Sequence, residues 1–212
     1  MRIIAGMFRS RTIEAPPGLS TRPTSDRLRE TLFNVLAFRI QDSVSGGAVF
    51  LDLYAGSGAV GLEALSRGAA RVAFVERAPA ALKVLNNNLA RLGITNEVHV
   101  YARSVSAFLH SAAGSDLKAE KNPKPANPKP ERYDIVFLDP PYDETREYAT
   151  ALGLMGGAAH GILAPGAVII AEHRRKQQLD DQYGKLKRTR LLEQGDAAIS
   201  IYAGSSEPAG EQ

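Results

Sequence analysis

Four consecutive residues, Asp139-Pro140-Pro141-Tyr142, follow the apolar run Ile135-Val136-Phe137-Leu138. Their types suit one kind of chemistry. An exocyclic amine on a nucleic-acid base is a poor nucleophile, because its lone pair is delocalised into the ring. A carboxylate in the place of Asp139 and the backbone carbonyl of Pro140 offer such an amine two hydrogen-bond acceptors. Two acceptors favour a pyramidal nitrogen with its lone pair aimed outward. The paired prolines stiffen the turn that carries both, and Tyr142 supplies a face on which an extruded base can stack. The catalytic candidates are therefore Asp139, Pro140 and Tyr142. The plainer alternative is a rigid loop anchored by an aromatic side chain.

A second group of residues suits a nucleoside cofactor. The run Leu51-Asp52-Leu53-Tyr54-Ala55-Gly56-Ser57-Gly58-Ala59-Val60-Gly61 lies where an apolar strand meets a helix. Its glycines allow a sharp bend and a close approach by a ligand, and N–H groups at a helix start can bind a polar or anionic group. Glu76, at the end of the next strand, can accept hydrogen bonds from two ribose hydroxyls. Asp52, Tyr54, Ala55, Gly56, Ser57, Gly58 and Glu76 are the cofactor-binding candidates. Gly56, Gly58 and Gly61 also satisfy the dinucleotide pattern G-x-G-x-x-G, so an NAD-dependent oxidoreductase stays open as a rival. Asp52 favours a cofactor with a cationic sulfonium and an amino group over a pyrophosphate.

These residues need elements to hold them. From Ala48 onward, apolar runs and helical periodicities alternate. Strands are expected over 48–53, 71–76, 97–102, 133–138 and 166–172, with helices over 58–67, 79–92, 105–112 and 145–159. That alternation predicts an α/β fold with a parallel sheet covered by helices. Two closing runs, 183–192 and 197–203, flank the turn Glu193–Asp196 and predict a terminal antiparallel strand. Ahead of this pattern, residues 2–5 and 11–15 read as a strand pair. A helix capped by Thr24 or Ser25 follows, with Leu28, Leu32, Val35 and Leu36 at helical spacing.

The chain has 212 residues, no cysteine and a net charge of only +3. Disulfides and cysteine-metal sites are excluded, and no apolar run approaches the roughly 20 residues of a membrane span. The opening MRIIAGMFRSR lacks the apolar core of a signal peptide, so a cytoplasmic protein is expected. Charge is concentrated at the start. Residues 1–40 hold Arg2, Arg9, Arg11, Arg22, Arg27, Arg29 and Arg39 against Glu14, Asp26 and Glu30. Arginine suits forked contacts with phosphate, which makes Arg9, Arg11, Arg22, Arg27 and Arg29 the RNA-binding candidates; the alternative is a solvated basic face. The expected organisation is an arginine-rich hairpin and helix over 1–40 and a catalytic domain over 41–204. A basic Pro/Lys insertion at 115–132 interrupts the domain, and a tail covers 205–212.

In order, the segments MRIIAGMFRSR, TRPTSDRLRETLFNVL, LDLYAGSGAVGLEALSRGA, FVER and VFLDPPYD resemble the RsmD-type family of 16S ribosomal RNA guanine-N2 methyltransferases, over roughly residues 1–88 and 133–173. The resemblance implies a Rossmann-like methyltransferase fold with a seven-stranded sheet and a terminal antiparallel strand. It implies S-adenosyl-L-methionine as cofactor and N2 of a guanine in 16S ribosomal RNA as target, within an assembled or nearly assembled small subunit. A monomer that touches no membrane and binds no metal is expected. By position, Asp52, Gly56 and Gly58 would hold the methionine end, Glu76 the ribose, and Asp139 and Tyr142 the guanine. One departure stands out. Where such enzymes usually carry an aspartate near the adenine amino group, this chain has Ala102-Arg103-Ser104-Val105, leaving Ser104 to make a weaker, neutral contact.

Among other side chains, His99, His110, His160 and His173 are scattered without metal-ligand spacing and read as surface or helix-end residues. Glu63 reads as solvated on the first helix, and the cations from Arg174 to Lys176 and from Lys185 to Arg190 divide evenly between a basic surface and a solvated edge. The nearest rival enzyme is a DNA adenine-N6 methyltransferase, since the same four-residue motif serves adenine, although no large target-recognition domain is present. A silent RNA-binding protein is the remaining alternative.

Overall fold

The computed structural model describes residues 1–15, 26–41, 46–115, 132–141 and 143–204. The proposed helix cap at Thr24 or Ser25, Arg22, Tyr142, the interior of the insertion and the tail 205–212 lie outside the described residues. From Ala48 the chain alternates as its pattern predicts. After α1 (Asp26–Gln41) come β1 (Val49–Leu53), α2 (Ala59–Ser66), β2 (Arg71–Glu76), α3 (Pro79–Leu92), β3 (Val98–Ala102) and α4 (Val105–His110). Then follow β4 (Tyr133–Leu138), α5 (Arg146–Gly156), β5 (Leu163–Arg174), β6 (Gln182–Tyr183), β7 (Leu186–Gln194) and β8 (Ala197–Gly204).

The sheet has the order β3-β2-β1-β4-β5-β8-β7-β6. The first five strands are parallel, and β8 runs antiparallel between β5 and β7. Seven of the strands are those expected. The eighth exists because the run expected over 183–192 is divided at Gly184, which turns with φ +57° and packs against the backbone of Gly156; a β-carbon there would lie 2.4 Å from the Gly156 carbonyl oxygen. Helices cover both faces. Phe50, Phe74, Phe137 and Ile170 point to α1, α2 and α3, whereas Leu51, Val75, Leu138 and Ile169 point to α4 and α5.

Strand β1 lies between β2 and β4, so the chain crosses in opposite directions from it. Such a switch point opens a crevice beyond the carboxyl ends of the strands. The glycine-rich turn follows β1, and Asp139 follows β4, at the two sides of that crevice.

The N-terminal segment pairs as its pattern predicts: Arg2 bridges Thr12 antiparallel, Ile3 N–H donates to the Arg11 carbonyl at 3.0 Å, Ser10 N–H to the Ile3 carbonyl at 2.9 Å and Ile13 N–H to the Met1 carbonyl at 3.0 Å. The amides of Ile4 and Ala5 donate outward to the carboxylate of Glu63 on α2, at 2.8 and 3.0 Å. Further along, Met7 N–H donates to the Ser66 carbonyl and Phe8 N–H to the Ser66 hydroxyl, at 2.7 and 3.0 Å. On the return, Glu14 N–H donates to Asn88 of α3 at 2.8 Å. The segment is a ribbon lying on α2 and α3. Ile3, Ile13, Leu28, Leu32, Phe33 and Leu36 share one apolar core with β1, β2 and β4.

Two readings are corrected here. Glu63 is fully buried, not solvated: it accepts both ribbon amides and the Arg67 Nε–H at 2.7 Å. His173 is buried inside β5, paired with Ala198, because that strand runs two residues further than its apolar core. Its Nδ1 donates to the Arg174 carbonyl and its Nε2 accepts from the Ser200 hydroxyl, both at 2.9 Å. Burial lowers its pKa, in keeping with a neutral ring.

Candidate active site

A cleft of about 590 Å³ opens at the switch point. Of the residues singled out from the sequence, it brings together Asp52, Tyr54, Ala55, Gly56, Ser57, Glu76, Ser104, Asp139 and Pro140. The glycine turn and Glu76 form one side, Ser104 the floor beyond β3, and Asp139-Pro140-Pro141 the opposite side.

The turn is held from within. Gly56 N–H donates to Glu76 Oε2 at 2.9 Å, Gly58 N–H to the Ala55 carbonyl at 2.8 Å, and Gly61 N–H to Asp52 Oδ2 at 2.9 Å. These three amides are therefore engaged by the protein and do not form the anion cradle expected from the glycine spacing. Gly58 stands behind the cleft wall. It turns with φ +81°, and a β-carbon would meet Leu85 Cδ1 at 2.4 Å. Gly61 serves close packing, because a β-carbon would lie 2.3 Å from the Phe74 ring. Both glycines shape the turn without touching the cleft.

Glu76 also accepts from the amides of Arg77 and Ala78 through Oε1, each at 2.8 Å. It thus fixes the end of β2 and the bend of the turn together, and Oε2 keeps a lone pair toward the cleft. Ser104 caps α4 by accepting the Ala107 amide at 3.2 Å, which leaves its hydroxyl proton to donate.

Two carboxylates in this cleft are costly to ionise. Burial first, then the nearby Glu76, push Asp52 up to about 7 despite the Gly61 hydrogen bond. Asp139 is raised well above the usual carboxylate range by burial, then by Glu172 and by Asp52. Such a pair disfavours a pyrophosphate beside it and favours a ligand that brings positive charge.

A brace spans the cleft mouth, and no local sequence pattern marks it. Tyr54 adopts the left-handed conformation, φ +64°, uncommon for a residue with a β-carbon. Its hydroxyl donates to Glu147 Oε2 of α5 at 2.6 Å, and Arg77 pairs with Glu144. Together they tie the segment after Pro141 back to the cofactor side.

Arg29 requires a correction. It is 1% exposed and cannot face RNA phosphates. It reaches from α1 to the cleft, donates to the Arg2 carbonyl at 2.8 Å, and lies 4.0 Å from Glu63. Helical spacing could have revealed this, because Arg29 precedes Leu32, Phe33 and Leu36 by three, four and seven residues, on the buried face. Arg9, Arg11 and Arg27 are exposed, Arg9 and Arg11 toward the end of the ribbon remote from the cleft and Arg27 on α1. Met1 and Ala15, at the two ends of the ribbon, complete the cleft wall.

Comparison with known proteins matches residues 1–203 to the family described as conserved hypothetical protein 95. YlbH of Bacillus subtilis is 35% identical over 202 residues, covering 95% of this chain and 98% of its own. The Escherichia coli K12 protein named ribosomal RNA small subunit methyltransferase D is 43% identical over 142 residues, or 67% of this chain and 60% of that relative. Among solved structures, yhhF of Escherichia coli superposes with a TM-score of 0.75 at 32% identity, over 98% of this chain and 99% of that one.

Proposed function

The chain belongs to the conserved hypothetical protein 95 family, the RsmD-type methyltransferase family, and we propose that it transfers a methyl group from S-adenosyl-L-methionine to N2 of a guanine in small-subunit ribosomal RNA. The observation that carries this reading is the facing of two walls in one cleft. The turn anchored by Asp52 and Glu76 stands opposite Asp139 and Pro140.

The residues fit the cofactor. Two carboxylates with raised pKa values, Asp52 buried and Asp139 half-buried, suit a ligand bearing a sulfonium and an ammonium, and Glu76 Oε2 suits a ribose hydroxyl. Ser104 has a proton to donate to an adenine ring nitrogen. When bound, the cofactor supplies an activated methyl group, so no metal is needed. The dinucleotide reading loses its support, because the turn amides that would hold a pyrophosphate are engaged.

The chain's own part is to orient the nucleophile. Asp139, ionised once positive charge lies beside it, accepts one amine hydrogen, and the Pro140 carbonyl accepts the other. The amine lone pair then points across the cleft toward the turn. The Tyr54–Glu147 and Arg77–Glu144 contacts hold the two walls at a fixed separation. Tyr142 is the stacking partner in this proposal. Arg9, Arg11, Arg22 and Arg27 would hold RNA phosphates, with residues 1–40 as the RNA-facing extension of the 41–204 catalytic domain.

Single-turnover transfer to small ribosomal subunits, at saturating cofactor, tests this. Asp139→Ala should lose at least about a hundredfold in rate, the scale for removing a group aimed at the reacting atom, while Asp139→Asn retains part of it through its amide oxygen. A wild-type rate in Asp139→Ala would refute the assignment.

A further inference from the structure

A second open cleft, of about 560 Å³, lies on the other side of the Asp139 loop. Its walls include Thr145 and Tyr148 from the start of α5, and Arg174, Lys176, Gln177, Asp180 and Tyr183 from the chain after β5. The register Leu138↔Ala171 puts Asp139 beside Glu172, and Arg174 ends β5 two residues later. At the spacings of a sheet, that is on the order of 8 Å from Asp139. The first turn of α5 is the ridge between the clefts, since Glu147 lines one and Tyr148 the other.

The lining has the chemistry of a nucleotide site. Arg174 and Lys176 are exposed cations, against the single carboxylate of Asp180. Gln177 offers an amide for a base edge. Tyr183 is a fixed platform, because its ring meets Tyr202 edge-on at 5.7 Å and its hydroxyl accepts the Asp180 amide at 3.0 Å. Tyr148 is buried beneath, donating to the Glu172 carbonyl at 2.6 Å. For a strand whose base enters beside Asp139, the ridge and this second cleft are the adjoining surface on which the next nucleotide can lie.

Resting on the function proposed above, we infer that the cleft between α5 and the β5–β6 connection is a subsite for the nucleotide adjacent to the target guanine. Arg174 and Lys176 hold its phosphate, and Gln177 and Tyr183 hold its base. The site therefore selects a single-stranded or locally opened stretch, not an isolated nucleoside.

The double variant Arg174→Gln/Lys176→Gln tests this in the full-length chain. In single-turnover transfer, the subunit concentration for half-maximal rate should rise about tenfold, and the limiting rate should stay within about twofold. The log–log salt slope should fall by about 0.7, for one lost single-strand phosphate contact, and cofactor affinity should be unchanged. The same loss should appear in binding to a protein-free single-stranded fragment of 16S RNA, read by fluorescence anisotropy. A loss confined to whole subunits would assign the cleft to a ribosomal protein and overturn the inference. Unchanged half-saturation and salt slope, in an enzyme that methylates normally, would overturn the subsite alone. A wild-type protein that methylates no RNA would overturn the function and the subsite together.

Discussion

The N-terminal ribbon and the turn from β1 into α2 lie against each other, yet they are held by opposite means. The turn carries its own instructions. Glycines at 56 and 58 adopt positive φ, Gly61 admits the Phe74 ring, and Asp52 and Glu76 accept the turn's amides. The ribbon closes on itself through backbone hydrogen bonds such as Ile3 N–H to the Arg11 carbonyl, but its place on the domain is fixed by side chains belonging to α2 and α3, namely Glu63, Ser66 and Asn88. Asn88 joins the two regions, donating both to the Glu14 carbonyl of the ribbon and to the Ser57 carbonyl of the turn, at 3.1 and 3.0 Å. A segment that looks appended is thereby built into the wall of the active cleft.

The contrast breaks most severely at Glu63. Glu63→Gln removes the carboxylate charge that Arg67 pairs with and turns an amide donor toward the ribbon N–H groups. Loss of one partner of a buried ion pair costs about 3–5 kcal/mol, to be read by denaturant unfolding. A cost below 1 kcal/mol would mean that the ribbon is not secured through this residue.

On the turn's side, Gly58→Ala should cost about 2–4 kcal/mol, from a β-carbon pressed against Leu85 and an unfavourable φ. Gly56→Ala provides the control, since its β-carbon would find only the Tyr54 carbonyl oxygen, 4.0 Å away. If both substitutions cost the same in thermal unfolding, packing behind the turn is not what Gly58 provides.

Asn88→Ala should cost about 1–3 kcal/mol by stranding buried backbone groups. Because it touches both regions, it should also weaken S-adenosylmethionine binding, as calorimetry can measure. Destabilisation with intact cofactor affinity would show that the ribbon and the turn are merely neighbours.

The smallest expected effect is the pH dependence of cofactor affinity. Burial pushes Asp52 from an ordinary carboxylate value of 3.8 in the unfolded chain up to about 7 in the folded one. Its folded pKa is raised, so the folded protein is favoured below pH 4 and loses stability as pH rises toward 7. A cationic ligand reverses that preference. S-adenosylmethionine affinity should increase roughly tenfold between pH 6 and 8 as Asp52 gives up its proton, and less for S-adenosylhomocysteine, which lacks the sulfonium charge. Asp52→Asn should flatten the difference.

The same contrast explains what could be read from the sequence. Strands β2 and β4 and helix α3 match their expected bounds residue for residue, because buried parallel strands are continuous apolar runs and α3 is bracketed by Pro79 and Gly93. The cleft residues Asp52, Glu76 and Asp139 were legible because strand ends and glycine spacing mark them, and Ser104 through the family resemblance. Glu63, Ser66 and Asn88 were not. Periodicity separates an apolar helix face from a polar one, but a polar face that meets another backbone has the same composition as one that meets water. Arg29 was misread for a related reason, since an arginine-rich segment hides which arginine lies on the buried stripe. The brace from Tyr54 to Glu147 spans 93 residues and carries no local pattern.

The most direct test of the account is to incubate small ribosomal subunits from cells lacking this protein with the purified chain and labelled S-adenosylmethionine. The RNA is then digested and its nucleosides identified by mass. The account predicts one new modified nucleoside, N2-methylguanosine, at a single position in the small-subunit RNA. Label recovered as N6-methyladenosine, label transferred to DNA in preference, or no transfer by a protein that binds the cofactor would contradict it.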